Sequence, residues 1–263
     1  MKRRSLILGA AAGVAAPVIA SGATPAAAAT REATATSGTL SGSYVKPGYI
    51  PSPSNKAANL KTLPPATQQV IIVTAASDTT SFATLETYAK IRGRWAAVSA
   101  PLPARIGSKY FSDNHVEGVP TTPTGVYAIG PTMYGIAPNP GVRYPYHQLV
   151  TNDWWNENPK SPAYNTFQHT ATNPGGASEA LWLEKPAYTH FAVITYNMPP
   201  NVATPVAGAG SGIFLHEFST TPSGPTAGCV SLSHDHLVGV LTWLKPEANP
   251  RIVMCPVQNL SRY

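Results

Sequence analysis

Ser211-Gly212-Ile213-Phe214-Leu215-His216-Glu217-Phe218-Ser219-Thr220-Thr221-Pro222-Ser223-Gly224-Pro225-Thr226-Ala227-Gly228-Cys229-Val230-Ser231-Leu232-Ser233 is the stretch on which the fold turns. Its apolar start, Ile213 to Leu215, reads as a strand that ends at His216. Pro222, Gly224 and Pro225 then enforce a loop that returns to Gly228-Cys229. Directly after it, Leu237, Val240, Leu241 and Leu244 recur at i, i+3, i+4 and i+7, the period of a helix with one buried face. Ser233 or Asp235 is placed to cap its start, and Pro246 to end it.

Outward from this stretch the pattern is one of short strands. Val70-Ile71-Ile72-Val73 is a β-branched run of the buried kind. Thr84–Ala89, Trp95–Val98 and Ala104–Gly107 follow, then Val126–Ile129 and the longest candidate, Tyr188–Tyr196. Arg251–Met254 closes the series. Strands at this spacing, separated by Gly and Pro, predict a mostly β sandwich or barrel with a single short helix. The stretch 131–187, with Trp154, Trp155 and Gly175-Gly176, reads as loop-rich.

Composition narrows the class. Only 11% of the 263 residues are charged, where about 25% is usual, and 27 are proline. That excludes a coiled coil and a charge-rich disordered chain. The formal charge is +6, but Lys2, Arg3 and Arg4 belong to the first residues. They precede an Ala- and Gly-rich apolar stretch, Leu6 to Ala20, and then small residues up to Ala29. This order reads as an export signal over 1–29, with cleavage after Ala29 or, second, after Ala23. Paired Arg3-Arg4 gives it twin-arginine character, against an ordinary secretory signal that happens to carry two arginines. Without 1–29, 15 basic residues face 12 acidic ones, a net +3. No Lys/Arg cluster remains that would read as a nucleic-acid patch, and no apolar run long enough to span a membrane. Residues 30–66, rich in Pro, Ser, Thr and Ala, read as a linker, either a spacer holding the domain off a surface or a leader with no role. The domain proper is assigned to 67–263.

His216 at a strand exit and Cys229 at the end of a returning loop have the makings of a nucleophile and its base. Cysteine attacks as thiolate, and an adjacent imidazole generates the thiolate. Gly228, lacking a Cβ, lets backbone approach a substrate, and N–H groups beside Cys229 can hold an oxyanion. Other readings remain open on the residues alone. Cys229 can be a small buried hydrophobe, or pair with Cys255 in an oxidising compartment, or bind zinc with His216, His234 and His236. Cys255, within Ile252-Val253-Met254-Cys255, reads better as a buried strand residue. His115, His147, His169 and His190 are scattered and read as structural or surface groups. Neither a metal nor an organic cofactor site stands out.

His216 followed by Thr226-Ala227-Gly228-Cys229-Val230-Ser231 resembles the signature of the L,D-transpeptidase catalytic domain, the YkuD-like family. Thr122-Pro123-Thr124-Gly125-Val126-Tyr127 resembles its Thr-Pro-x-Gly-x-Phe/Tyr strand. Asp153-Trp154-Trp155 with Tyr164-Asn165, and Gly208 through His216, resemble motifs of an envelope-associated branch. The resemblance covers about 68–257 and implies a YkuD-like β-sandwich or barrel. It departs at Glu217, where many members have Gly, at Ala227, where many have His, and at Ser231, where many have Arg or Asn. The resemblance implies that Cys229 attacks a peptidoglycan stem peptide, expels D-alanine and leaves a thioester. A neighbouring stem amine then completes a 3→3 crosslink. Water in its place would make the protein an L,D-carboxypeptidase. His216 is then base and acid, backbone N–H groups near Gly228 and Cys229 form the oxyanion hole, and Thr226 and Ser231 support the loop or bind substrate. Two other functions stay open: a secreted cysteine peptidase on another substrate, and a non-catalytic wall-binding module built on the Trp-rich stretch.

Overall fold

In the computed structural model, residues 55–221 and 223–263 are described. The proposed export signal and most of the proposed linker lie outside them. The strands are β1 Gln69–Ala75, β2 Phe82–Ile91, β3 Arg94–Ala97, β4 Leu102–Arg105, β5 Phe111–Ser112, β6 Thr122–Pro123, β7 Gly125–Gly135 and β8 Tyr146–Gln148. They continue with β9 Asp153–Asn156, β10 Thr166–His169, β11 Glu179–Ala180, β12 Phe191–Ile194, β13 Phe214–Glu217 and β14 Val230–Leu232. Helix α1, His234–Trp243, precedes β15, Arg251–Pro256.

The main sheet runs β1-β15-β7-β12-β13-β14-β4-β2, and β2 also pairs with β1, so the sheet closes on itself. Closure removes both open edges of the ring; β3 and β8 attach to its outside, on β2 and β7. Ile71, Val73, Leu85, Ala104, Ile129, Leu215, Val230, Leu232 and Ile252 fill the interior. Helix α1 adds Leu237, Val240, Leu241 and Leu244 to the same core, which is why those positions repeat at helical spacing. Among the described residues, the expected mostly β fold with a single α-helix is what forms.

Strand β1 is buried along its whole length. Ile71 and Val73 point into the barrel, while Val70 and Ile72 meet Ala57, Tyr88 and Val253 on the outer side. A strand covered on both faces needs no polar alternation, and hence the unbroken Val-Ile-Ile-Val run. Its outer cover includes part of the stretch assigned to the linker. Lys56–Asn59 forms a 3-10 turn with Ala57 fully buried, and the Asn55 side chain donates to the Trp95 carbonyl at 3.1 Å. The folded unit thus includes residues 55–66.

Three local expectations are corrected. The strand foreseen over Tyr188–Tyr196 is only Phe191–Ile194, because the Tyr188 and Thr189 N–H groups close a turn onto Glu184 and Pro186. The stretch 131–187 contains a small sheet, β10-β9-β11, rather than loop alone. Ser233 is the N-cap of α1 by backbone angles, but neither it nor Asp235 makes a side-chain capping bond; Asp235 in the first turn instead complements the helix dipole.

Candidate active site

Strands β13 and β14 lie side by side and parallel, with Leu215 opposite Val230 and His216 opposite Ser231. Leu215, Val230 and Leu232 point inward. Side chains alternate along a strand, so His216 and Ser231 face outward, and Cys229, one residue before β14, falls on that same outer face beside Phe214. Cys229 packs there with Phe214, Trp155, Tyr188 and Phe191 in a second apolar cluster. Cys229 is 7% and His216 4% exposed, so both side chains are almost wholly buried.

The thiol is held between two backbone groups of the approaching chain. Phe214 N–H donates to Sγ at 3.3 Å, and Sγ donates to the Gly212 carbonyl at 3.2 Å. The loop ahead of it is braced by threonines. Thr226 Oγ1 accepts from the Gly228 N–H at 3.2 Å and donates to the Cys229 carbonyl at 2.6 Å. Thr122 Oγ1 accepts from the Gly107 N–H and donates to the Gly228 carbonyl, each at 2.8 Å. Gly228 has φ +152°, and a Cβ there would meet the Thr121 carbonyl at 2.9 Å and Ile213 Cδ1 at 3.0 Å. Only glycine fits both the angle and the space.

His216 Nδ1 donates to the Glu217 carbonyl at 2.5 Å. That bond fixes the tautomer and leaves Nε2 as the basic nitrogen. Burial pushes the imidazole pKa down to about 4, and the Glu217 carbonyl offsets this only in part. His216 is therefore neutral near pH 7, as a general base must be. Tyr188 lies edge-on to both His216 and Phe214, with centroids 5.7 and 5.6 Å away. Its hydroxyl donates to Glu179 at 2.6 Å, and burial holds its pKa well above the ordinary value.

Thr226 is thus a loop brace, and Ser231 lies beside His216 across the parallel pair. The Gly228 N–H, foreseen as an oxyanion donor, is engaged by Thr226 at rest. His234 turns away to Glu217 (2.9 Å), and no group of three metal-ligating side chains occurs among the described residues, so the set Cys229, His216, His234 and His236 is not gathered. Cys255 is fully buried on β15, is not disulfide-bonded, and burial raises its thiol pKa to about 12. Trp155 is core, bonded to Asn165 Oδ1 at 2.9 Å, and Trp154 packs edge-on against Trp182, so this stretch builds the fold. His147 and His169 both bond the buried Asp153 carboxylate, at 2.8 and 2.7 Å. Burial alone would raise that carboxyl, but these bonds and the Val150 N–H outweigh it and hold its pKa below the usual range.

Two groups near the thiol had no signal in the sequence. Tyr188 was hidden inside a presumed strand. His115 is buried behind Gly228, with Nδ1 2.9 Å from Thr121 Oγ1.

Residues 74–254 match the model of the L,D-transpeptidase catalytic domain, YkuD. The chain belongs to the L,D-transpeptidase catalytic-domain family. No curated protein matches the chain. Among solved structures, it is similar to the helical cell shape determining protein Pgp2 from Campylobacter jejuni at 14% identity and a TM-score of 0.36. That alignment covers 72% of this chain and 48% of the other, so the chain spans about half of the structure it matches.

The departures from the L,D-transpeptidase signature now have physical content. Glu217 accepts from His216 through its backbone carbonyl, which any residue at that position supplies, and its carboxylate is bonded to His234. Ser231 places a small side chain next to His216, where many L,D-transpeptidases carry a large polar one.

Proposed function

We propose that the protein is an exported cysteine acyltransferase acting on peptidoglycan stem peptides, with Cys229 as nucleophile and His216 as base and acid. The observation carrying this reading is the parallel register that sets Cys229 and His216 on one face, with Nδ1 of His216 engaged by a carbonyl. At rest the pair is thiol and neutral imidazole. On attack, the thiol proton passes to His216 Nε2 as Sγ bonds the carbonyl carbon between stem residues three and four. The N–H of Phe214, which already points at Sγ, stabilises negative charge there. The oxyanion is assigned to the backbone N–H groups of the Gly228-Cys229 turn. The Gly228 N–H exchanges its long bond to Thr226 for the stronger charged acceptor. Collapse breaks the C–N bond, and His216 returns the proton to the departing D-alanine amine. The thioester stores acyl reactivity without ATP. A stem amine then attacks it to form a 3→3 crosslink, His216 accepting its proton; water would release the shortened stem instead. Arg3-Arg4 and the stretch after them support export by a twin-arginine-type signal.

Intact-mass analysis with a carbapenem tests the assignment. Wild type gains one adduct, Cys229→Ala gains none, and Cys255→Ala is labelled as wild type. Labelling that persists in Cys229→Ala overturns the nucleophile. Incubation with purified muropeptides then separates crosslinked dimer from shortened stem, and no loss of D-alanine from any stem overturns the substrate class.

A further inference from the structure

A transverse row of side chains crosses the outer face of the barrel through the base. Phe82 on β2 is opposite Arg105 on β4, Arg105 opposite Ser231 on β14, Ser231 opposite His216, and His216 opposite Phe191 on β12. Their sequence neighbours Ala83, Ala104, Val230, Leu215 and Ala192 point into the core, which fixes the row on the opposite face. Each step across the sheet is about 5 Å, so the Arg105 backbone lies about 10 Å from that of His216. The residue between them is Ser231, whose side chain is small, and at rest the guanidinium lies toward β2, against Ser81 and Phe82.

Arg105 is 6% exposed. Its Nη2 donates to Ser81 Oγ at 3.0 Å. Its Nε and Nη1 are buried and have no hydrogen-bond partner among the described residues. A guanidinium carries five N–H donors, and leaving buried charged donors unfilled is costly. In native folds such donors are completed by a ligand, an ion or water, or serve a functional role. Over the guanidinium lies one ring, that of Phe82, whose centroid is 3.7 Å from Cζ. Phe82 is itself 69% exposed, so it can rotate outward without opening the core.

We propose that Arg105 is an anion subsite of this centre, binding a carboxylate of the stem peptide beside the reacting carbonyl once Phe82 turns aside. The inference rests on the stem-peptide reading above. Two carboxylates carry the required chemistry: that of the departing D-alanine and the side-chain carboxylate of a diamino acid at position three. Both belong to the two residues that flank the scissile bond.

The test uses synthetic tetrapeptides with each carboxylate free or amidated, assayed on wild type, Arg105→Gln, Arg105→Lys and Phe82→Ala. Wild type is expected to favour one free carboxylate by about tenfold in kcat/KM, mostly through KM. The amidation that removes this preference identifies the source. Arg105→Gln should erase the preference by raising KM for the free acid to that of the matching amide. Arg105→Lys should retain part of it, and Phe82→Ala should lower KM for the free acid alone. A preference that survives Arg105→Gln overturns the proposal, as does its absence in wild type that turns over every stem equally. Alkylation of Cys229 gives a readout that needs no stem. The ratio of iodoacetate to iodoacetamide rates should fall in Arg105→Gln, and an unchanged ratio overturns the subsite. If wild type acts on none of the stems yet the ratio falls, the anion site stands and the substrate reading fails.

Discussion

Lowering the pH from about 7.5 to about 5 should weaken the fold by about 2 kcal/mol through His216 alone. The imidazole has a pKa of about 4 in the fold against 6.5 in the open chain, and burial is the cause. Between those values the unfolded chain holds a proton that the folded chain does not, so acid favours unfolding. Each unit of separation is worth about 1.4 kcal/mol, which caps the effect at about 3 kcal/mol below about pH 4. Most of that is already lost at about pH 5, where the unfolded imidazole is charged and the folded one is not. Above about pH 7.5 both forms are neutral and the contribution is flat. Urea denaturation of wild type and His216→Gln across this range isolates the group. His190, whose pKa burial and then His234 pull down, adds its own slope to both proteins and cancels in the difference. Parallel pH profiles for the two proteins would refute the reasoning, because a solvated His216 would then be the true state. The same imidazole should place the acid limb of kcat/KM near pH 4.

Gly228→Ala should cost roughly 1–3 kcal/mol in a urea melt and sharply reduce carbapenem acylation, since its Cβ strikes backbone 2.9 Å away at a positive φ. Thr226→Val removes both bonds that brace the loop, so stability should fall by about 2 kcal/mol and kcat should fall more than KM rises. Asp153→Asn should lower the melting temperature by weakening the bonds to His147 and His169, at roughly 1–3 kcal/mol. Its effect should shrink in acid, because the low-pKa carboxylate stabilises the fold above its titration and loses that role as pH falls through it.

What could be read beforehand was what is local. Val70–Val73 announced a strand covered on both sides, and Leu237, Val240, Leu241 and Leu244 announced a helix, because each pattern is complete within a few residues. The motif that joins them marked Cys229 and His216 as candidates, and β13 and β14 bring the two to one face of the sheet. Strand β14 was not legible, since Val230–Leu232 is too short to show a period and exists because β13 and β4 flank it. Strand β9 is held by His147 and His169 closing on Asp153, a long-range arrangement that composition does not reveal. Arg105, Tyr188 and His115 reach the site only through register and turns. Their sequence neighbourhoods carry no mark of it.

Twelve residues separate His216 from Cys229, while His216 and the start of β14, directly after Cys229, are fixed by the pairing of adjacent parallel strands. Separation along the chain is therefore uncoupled from separation in space. Segments inserted or deleted beyond Phe218 and ahead of Thr226 should change the connecting loop without moving β13 or β14. The length of that loop is free to vary, and under the proposed function it is the natural place to graft a new acceptor preference.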